Sequence, residues 1–279
     1  MQAFCNIVID YKFNMLNNLT ITIIQTHLFW EDAEANLNHF DSKINLITEQ
    51  PDIIVLPEMF TTGFSMTPET MAEEHGGKGL QWMQQKAKEK QLAIVGSISV
   101  KENGCFYNRL YWVMPNGSYQ FYNKRHLFRM GNEHEHYTAG NQKCIVEYKG
   151  WKICPLVCYD LRFPVWSRNT KSATYDVLLY VANWPAVRAF AWSQLLVARA
   201  IENQCYVVGV NRIGDDANGI AHSGNSVILN PKGESVSNIK QNQECTETVS
   251  VSYTELQNFR KIFPVLLDAD EFNVFGLDS

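Results

Sequence analysis

Short apolar runs that alternate with amphipathic helical stretches constrain this chain most. Leu19–Gln25 (LTITIIQ) is rich in β-branched residues and reads as a strand. Ala33, Leu37, Phe40, Ile44 and Ile47 follow at spacings of 4, 3, 4 and 3, which aligns one apolar stripe along a helix. Asp32 is placed to cap that helix, and Pro51 lies just past its end. Residues 53–56 form a strand with no polar face, the kind buried on both sides. The alternation repeats with a helix over 79–90 and a strand over 92–100. Strands are then expected at 107–114 and Tyr119–Asn123, joined by the turn Pro115-Asn116-Gly117. Later come strands at 151–158, 175–182 and Tyr206–Asn211, with a helix over 190–203. Residues 227–230, the turn Pro231-Lys232-Gly233 and residues 246–251 are expected to form a final hairpin. Helices interleave with strands early and late, and hairpins occupy the middle and the end. That mixture predicts a layered α/β sandwich with mixed sheets rather than a purely doubly wound fold.

Composition narrows the class of protein. Hydrophobic residues make up 46% and charged residues 19%, which excludes disordered, collagen-like and coiled-coil chains. Domains usually run to roughly 100–200 residues, so length alone allows one or two. No linker-like composition interrupts residues 19–265, and one domain is expected. Periodic structure begins only after Met15, so residues 1–14 are expected to be an N-terminal extension and 15–279 the domain. That N-terminus lacks a basic start, and Asp10 and Lys12 break its apolar stretch, so it does not read as a secretion signal. A net charge of −5 offers no attraction to nucleic acid or anionic lipid. No apolar run approaches the roughly 20 residues that span a bilayer. The seven cysteines contain no CxxC, which argues against a disulfide framework or a four-cysteine zinc site and for a reducing compartment. A cytoplasmic location is expected.

Three segments place a reactive residue at or just after the end of an apolar strand: Glu58 in IIVLPEMF, Lys124 in FYNKRHLF and Cys158 in ICPLVCYDLRFP. Strand C-termini of α/β proteins are where ligands usually bind. Taken alone, each residue is a cap or a surface group; together they form a working set. A thiol is only a few per cent thiolate at neutral pH and needs a base or a cation beside it. A partly desolvated Glu58 could take the Cys158 proton, and Lys124 could stabilise first the thiolate and then an oxyanion. The backbone N–H of Tyr159 is a second candidate oxyanion donor, as the residue after a nucleophile on a sharp turn. Such a set suits amide cleavage through a thioester, with no metal and no organic cofactor.

The segments LPEMFTTGF, YNKRHLFRM and LVCYDLRFPVWSRN resemble the three signature blocks of the carbon–nitrogen hydrolase (nitrilase) superfamily. The resemblance extends from Leu16 to Phe275 and includes YVANWP and ARAIENQCYVVGVNRIG. It implies a four-layer αββα sandwich with two mixed β-sheets, a Glu–Lys–Cys triad at Glu58, Lys124 and Cys158, and pairing into a homodimer. It also implies a second glutamate that positions the lysine. Glu133, seven residues before Gly140, matches it, and Glu135 is the competitor. RHLFRMGNEHEHYTAG and KIFPVLLDADEF are most similar to bacterial omega-amidases, which hydrolyse the terminal amide of 2-oxoglutaramate and related 2-oxo acid amides. A nitrilase, carbamoyl or other small-amide reaction is the alternative within the chemistry; a binding protein without catalysis lies outside it.

Other residues have bland readings alongside functional ones. His134-Glu135-His136 lacks the H-E-x-x-H spacing of a zinc helix, and its Gly and Asn neighbours suggest a hydrogen-bonding loop. Cys154 reads as a small buried hydrophobe. Asp160 and Arg162 could form an ion pair that fixes the turn after Cys158; alternatively, Arg162 or Arg129 could bind a substrate carboxylate. Asn183 and Trp184 are expected on the pocket rim, with Phe60 and Phe64 opposite. No GxGxxG occurs, so no nucleotide cofactor is expected.

Overall fold

A computed structural model describes residues 18–274. Strand β1 (Leu19–Gln25) leads to helix α1 (Ala33–Asn45), whose first turn is capped by Asp32 accepting from the Ala35 amide at 2.9 Å. Strand β2 (Ile53–Val55), the one-turn helix α2 (Pro68–Met71) and the two-residue strand β3 (Glu73–Glu74) follow. Helix α3 (Lys78–Lys90) ends at Gln91, whose left-handed φ of 55° turns the chain into β4 (Ala93–Glu102). Hairpins then connect β4, β5 (Cys105–Val113) and β6 (Tyr119–Asn123).

The second half begins with the short helix α4 (Glu133–His136), where a loop was expected. Strands β7 (Val146–Tyr148) and β8 (Trp151–Val157) pair antiparallel, and the one-turn helix α5 (Pro164–Ser167) leads towards β9 (Val177–Ala182). Helix α6 (Ala189–Asn203) returns the chain to β10 (Tyr206–Asn211), parallel to β9. A small ribbon of β11 (Ile213–Asp215) and β12 (Ala221–Ser223) precedes β13 (Val227–Leu229), β14 (Cys245–Val251) and helix α7 (Tyr253–Ile262).

Two mixed sheets result. One runs β14-β1-β2-β4-β5-β6 with β3 beside β4, and the other runs β13-β10-β9-β8-β7. Period-two alternation divides β1, β2, β4 and β5 of the first sheet between two cores. Ile21, Ile23, Ile53 and Val55 face the second sheet, in a cluster with Trp151, Ile153 and Val208. Ile24 and Ile54 face the other way, under Phe40 and Ile44 of α1 and Leu80 and Met83 of α3. Helix α6 covers the far side of the second sheet, where Gly209 leaves room for Leu196 and Trp192. The layers are therefore helix, sheet, sheet, helix, as expected.

The final hairpin is a correction. The turn around Gly233 forms, and Leu229 bridges Ser235, but β14 then crosses to pair antiparallel with β1 in the other sheet while β13 pairs with β10. Local turn chemistry determined the bend but not the partner of the strand beyond it. The expected extension, residues 1–14, lies outside the described residues.

Candidate active site

Cys158 stands where β8 stops and the 3₁₀ turn Cys158–Arg162 begins. Its φ of 42° is left-handed, which costs a residue with a side chain roughly 1–2 kcal/mol. Asp160 holds this bend. Its Oδ2 accepts from the Val157 amide at 3.0 Å and the Tyr122 hydroxyl at 2.8 Å. Its Oδ1 accepts from the His126 amide at 3.0 Å and lies 2.8 Å from His126 Nδ1. The expected Asp160–Arg162 ion pair is thus corrected: neighbouring donors from the 122–126 segment occupy the carboxylate, and Arg162 lines the cavity instead.

Glu58 follows β2, and the next residue, Met59, is also left-handed with φ 43° and donates its amide to Ser97 Oγ at 2.8 Å. The Glu58 carboxylate is wholly buried. Oε1 accepts from Lys124 Nζ and from Asn108 Nδ2, each at 2.8 Å, and Oε2 accepts from the Asn183 amide at 2.8 Å. Asn183 Nδ2 also donates to the Glu58 carbonyl at 2.6 Å, which ties the end of β9 to the end of β2. Lys124 leaves the end of β6 and reaches Glu133 Oε1 at 3.0 Å and Oε2 at 2.9 Å. Glu133 opens α4 and accepts from the Phe128 amide at 2.6 Å, so the first turn of that helix faces the lysine.

Electrostatics follow from this enclosure. Burial opposes the Lys124 charge, but Glu133, Glu58 and Cys158 outweigh it and hold the ammonium well above its ordinary value. Burial raises the Glu133 carboxyl, with Lys124 pulling it back and Glu58 adding to the rise. Burial also pushes the Cys158 thiol well up, reinforced by the Glu58 charge and by its hydrogen bond to Glu58, against the pull of Lys124. Burial and the neighbouring Glu58 thus favour the protonated form of the Cys158 thiol. Cys154 is buried on the α6 side of the second sheet, in register with Leu178 and Val207, and burial pushes its thiol up to about 12.

The cluster opens onto a cavity of about 290 Å³. Of the sequence-derived candidates, Lys124, Cys158, Tyr159, Phe64, Arg162, Asn183 and Trp184 line it. Glu58 and Glu133 lie behind that wall, buried against Lys124, and the other two candidates, Phe60 and Arg129, are corrections. Phe60 is fully buried beneath α1 and α3, with ring centroids 5.6 Å from Phe40 and 5.7 Å from Trp82. Its apolar ring fits the space over Gly96, where an added Cβ would lie only 2.9 Å from Phe60. Arg129 is exposed and off the cavity wall, because the 3₁₀ turn Arg129–Gly131 directs it outward. Sequence reasoning missed Asn108, whose only signal was a polar residue inside the apolar strand β5, and Arg188, which carried none.

The layered sheets and the buried Glu–Lys–Cys cluster define a nitrilase-like α/β sandwich. A carbon–nitrogen hydrolase model matches residues 20–261, and the chain belongs to that family. It is 48% identical over 259 residues to the omega-amidase YafV of Escherichia coli K12, covering 92% of this chain and 99% of that protein. It is 35% identical to the 2-oxoglutaramate amidase of Bacillus subtilis over 77% of this chain and 83% of that one. A solved carbon–nitrogen hydrolase superfamily protein from Xanthomonas campestris, with an arsenic adduct in its active site, superposes with a TM-score of 0.90. That protein is 41% identical, with 92% of this chain and 99% of its own covered.

Proposed function

We propose that the enzyme is an omega-amidase that releases ammonia from the terminal amide of 2-oxo dicarboxylic acid monoamides such as 2-oxoglutaramate. The observation that carries this reading is the buried set of Glu58, Lys124, Glu133 and Cys158 at one cavity. The names of the relatives support the substrate class. Glu58 takes the Cys158 proton as sulfur attacks the amide carbon. This moves a proton within the cluster and leaves its net charge unchanged, so the buried site need not absorb a new charge. Lys124 and the Tyr159 N–H stabilise the oxyanion. Glu58 then protonates the departing ammonia and deprotonates the water that hydrolyses the thioester. Glu133 and Asn108 hold Lys124 and Glu58 in register.

Residues 15–279 act as one catalytic unit in this reading, in the cytoplasm and as a homodimer. The six described cysteines are free, in keeping with a reducing compartment, and among the described residues no helix is long and apolar enough to cross a membrane. Cys158→Ala is expected to abolish ammonia release from 2-oxoglutaramate while leaving the circular dichroism spectrum unchanged. Turnover surviving that change rejects the nucleophile, and a clear preference for a nitrile in a substrate panel rejects the amidase reading.

A further inference from the structure

The cavity that exposes Cys158 also has a cationic wall that the amide chemistry does not use. Arg162 and Arg188 both line it, and both are half-buried. Arg162 comes from the turn after β8 and sits with its Cζ 4.9 Å from the centre of the Trp184 ring. Arg188 comes from the turn after β9 and sits with its Cζ 5.2 Å from the centre of Phe128. Trp184 connects the two, since its Nε1 donates to the Arg188 carbonyl at 2.8 Å. Arg188 Nη1 also lies 3.8 Å from Met130 Sδ, across the cavity mouth.

Among the described residues neither guanidinium meets a carboxylate at ion-pair distance, whereas Arg109, Arg199 and Arg260 each do. Aromatic faces orient the two free guanidinia without neutralising them, and a planar guanidinium held this way is set for forked contact with a carboxylate. Asp216 is the acidic residue on the cavity wall, but its Oδ1 is taken by the Asn218 and Ile220 amides of its own turn. His222, also on the wall, is held down to about 4 by burial and by Arg212, so it is neutral at pH 7 and adds no competing charge.

We propose that Arg188, together with Arg162 across Trp184, receives the carboxylate of the substrate and is the residue that selects anionic omega-amides over neutral amides. This rests on the omega-amidase reading and adds to it the group that recognises the end of the substrate remote from the reacting amide. An uncharged amide reaches the same thiol without that hold.

The test is ammonia release from 2-oxoglutaramate and from butyramide by the wild type, Arg188→Gln, Arg188→Lys and Arg129→Gln. Losing a charged hydrogen-bond donor should raise KM for 2-oxoglutaramate about 10- to 100-fold in Arg188→Gln, with a smaller change in kcat. The ratio of kcat/KM for 2-oxoglutaramate over butyramide should fall with it. Arg188→Lys keeps charge without the fork and should lose less, and the outward-facing Arg129→Gln should leave the ratio at its wild-type value. An unchanged KM and ratio in Arg188→Gln overturns this inference and leaves the omega-amidase reading standing. A wild type that cleaves butyramide but not 2-oxoglutaramate overturns both. If Arg188→Gln fails to fold, as judged by circular dichroism, the KM and ratio of Arg188→Lys decide: a raised KM with a lowered ratio supports the inference, and wild-type values overturn it.

Discussion

Asn108 shows how much of the site depends on a residue that touches no cavity wall. Its Nδ2 donates to Glu58 Oε1 at 2.8 Å and Glu133 Oε1 at 3.1 Å, and its carbonyl accepts from the Lys124 amide at 2.9 Å. One side chain thus spans two buried carboxylates that would otherwise repel each other, and its backbone fixes the lysine between them. Asn108→Ala removes that bridge and leaves both carboxylates short of a donor. We expect kcat for ammonia release to fall about 10- to 100-fold with a smaller change in KM, since the loss falls on charge positioning rather than on substrate contact. A collapse of KM with kcat preserved, measured by steady-state kinetics, would contradict this role. The left-handed Cys158 belongs to the same scale. Its strain is maintained by Asp160, a residue the sequence placed near the turn but paired with the wrong partner.

Element ends deliver the chemistry. Glu58 follows β2, Lys124 follows β6, Cys158 follows β8 and Asn183 follows β9, so four strands from two sheets converge on one cluster. Gly140 locks one of these ends. Its amide donates to the Lys124 carbonyl at 2.9 Å, and a Cβ there would come 2.1 Å from the Asn123 carbonyl oxygen. Backbone cannot give way as a flexible side chain can, so Gly140→Ala must push the loop off the end of β6. We expect it to lower stability in urea unfolding by about 1–3 kcal/mol, as overpacking does, and to lower turnover because Lys124 moves with the strand end. Wild-type stability and activity in this variant would show that the loop relaxes without moving the lysine. The strands and main helices were legible in sequence because burial on one or two faces leaves a periodic mark. The short helix α4 was not, because one turn is too brief to show a period.

At the scale of the whole molecule, helix α6 leaves apolar side chains outside. Phe190 is 80% exposed and Ile201 is 52% exposed, and their spacing places both on one face of the helix. Exposed apolar groups aligned this way suit a partner surface, and a second copy of the chain is the partner in the proposed dimer. Phe190→Glu is expected to shift the protein from dimer to monomer in sedimentation velocity while leaving its circular dichroism intact. A dimer unaffected by that change would place the interface elsewhere.

Residue order alone determined the alternation of helices and strands, the layered α/β class, and the placement of Glu58, Lys124 and Cys158 at strand ends. These follow from burial patterns and chain reversals that act within about ten residues, so a local reading reaches them. Only the tertiary structure decided that β14 joins β1, that Phe60 is core, and that Arg188 rather than Arg129 faces the cavity. A strand's partner and a side chain's surroundings are set by groups far along the chain. Leu19 pairs with Val251, and the Arg188 guanidinium lies over the ring of Phe128 from a different part of the chain. No local pattern carries that information, because it arises only when two sheets close on each other and exclude water from what lies between them.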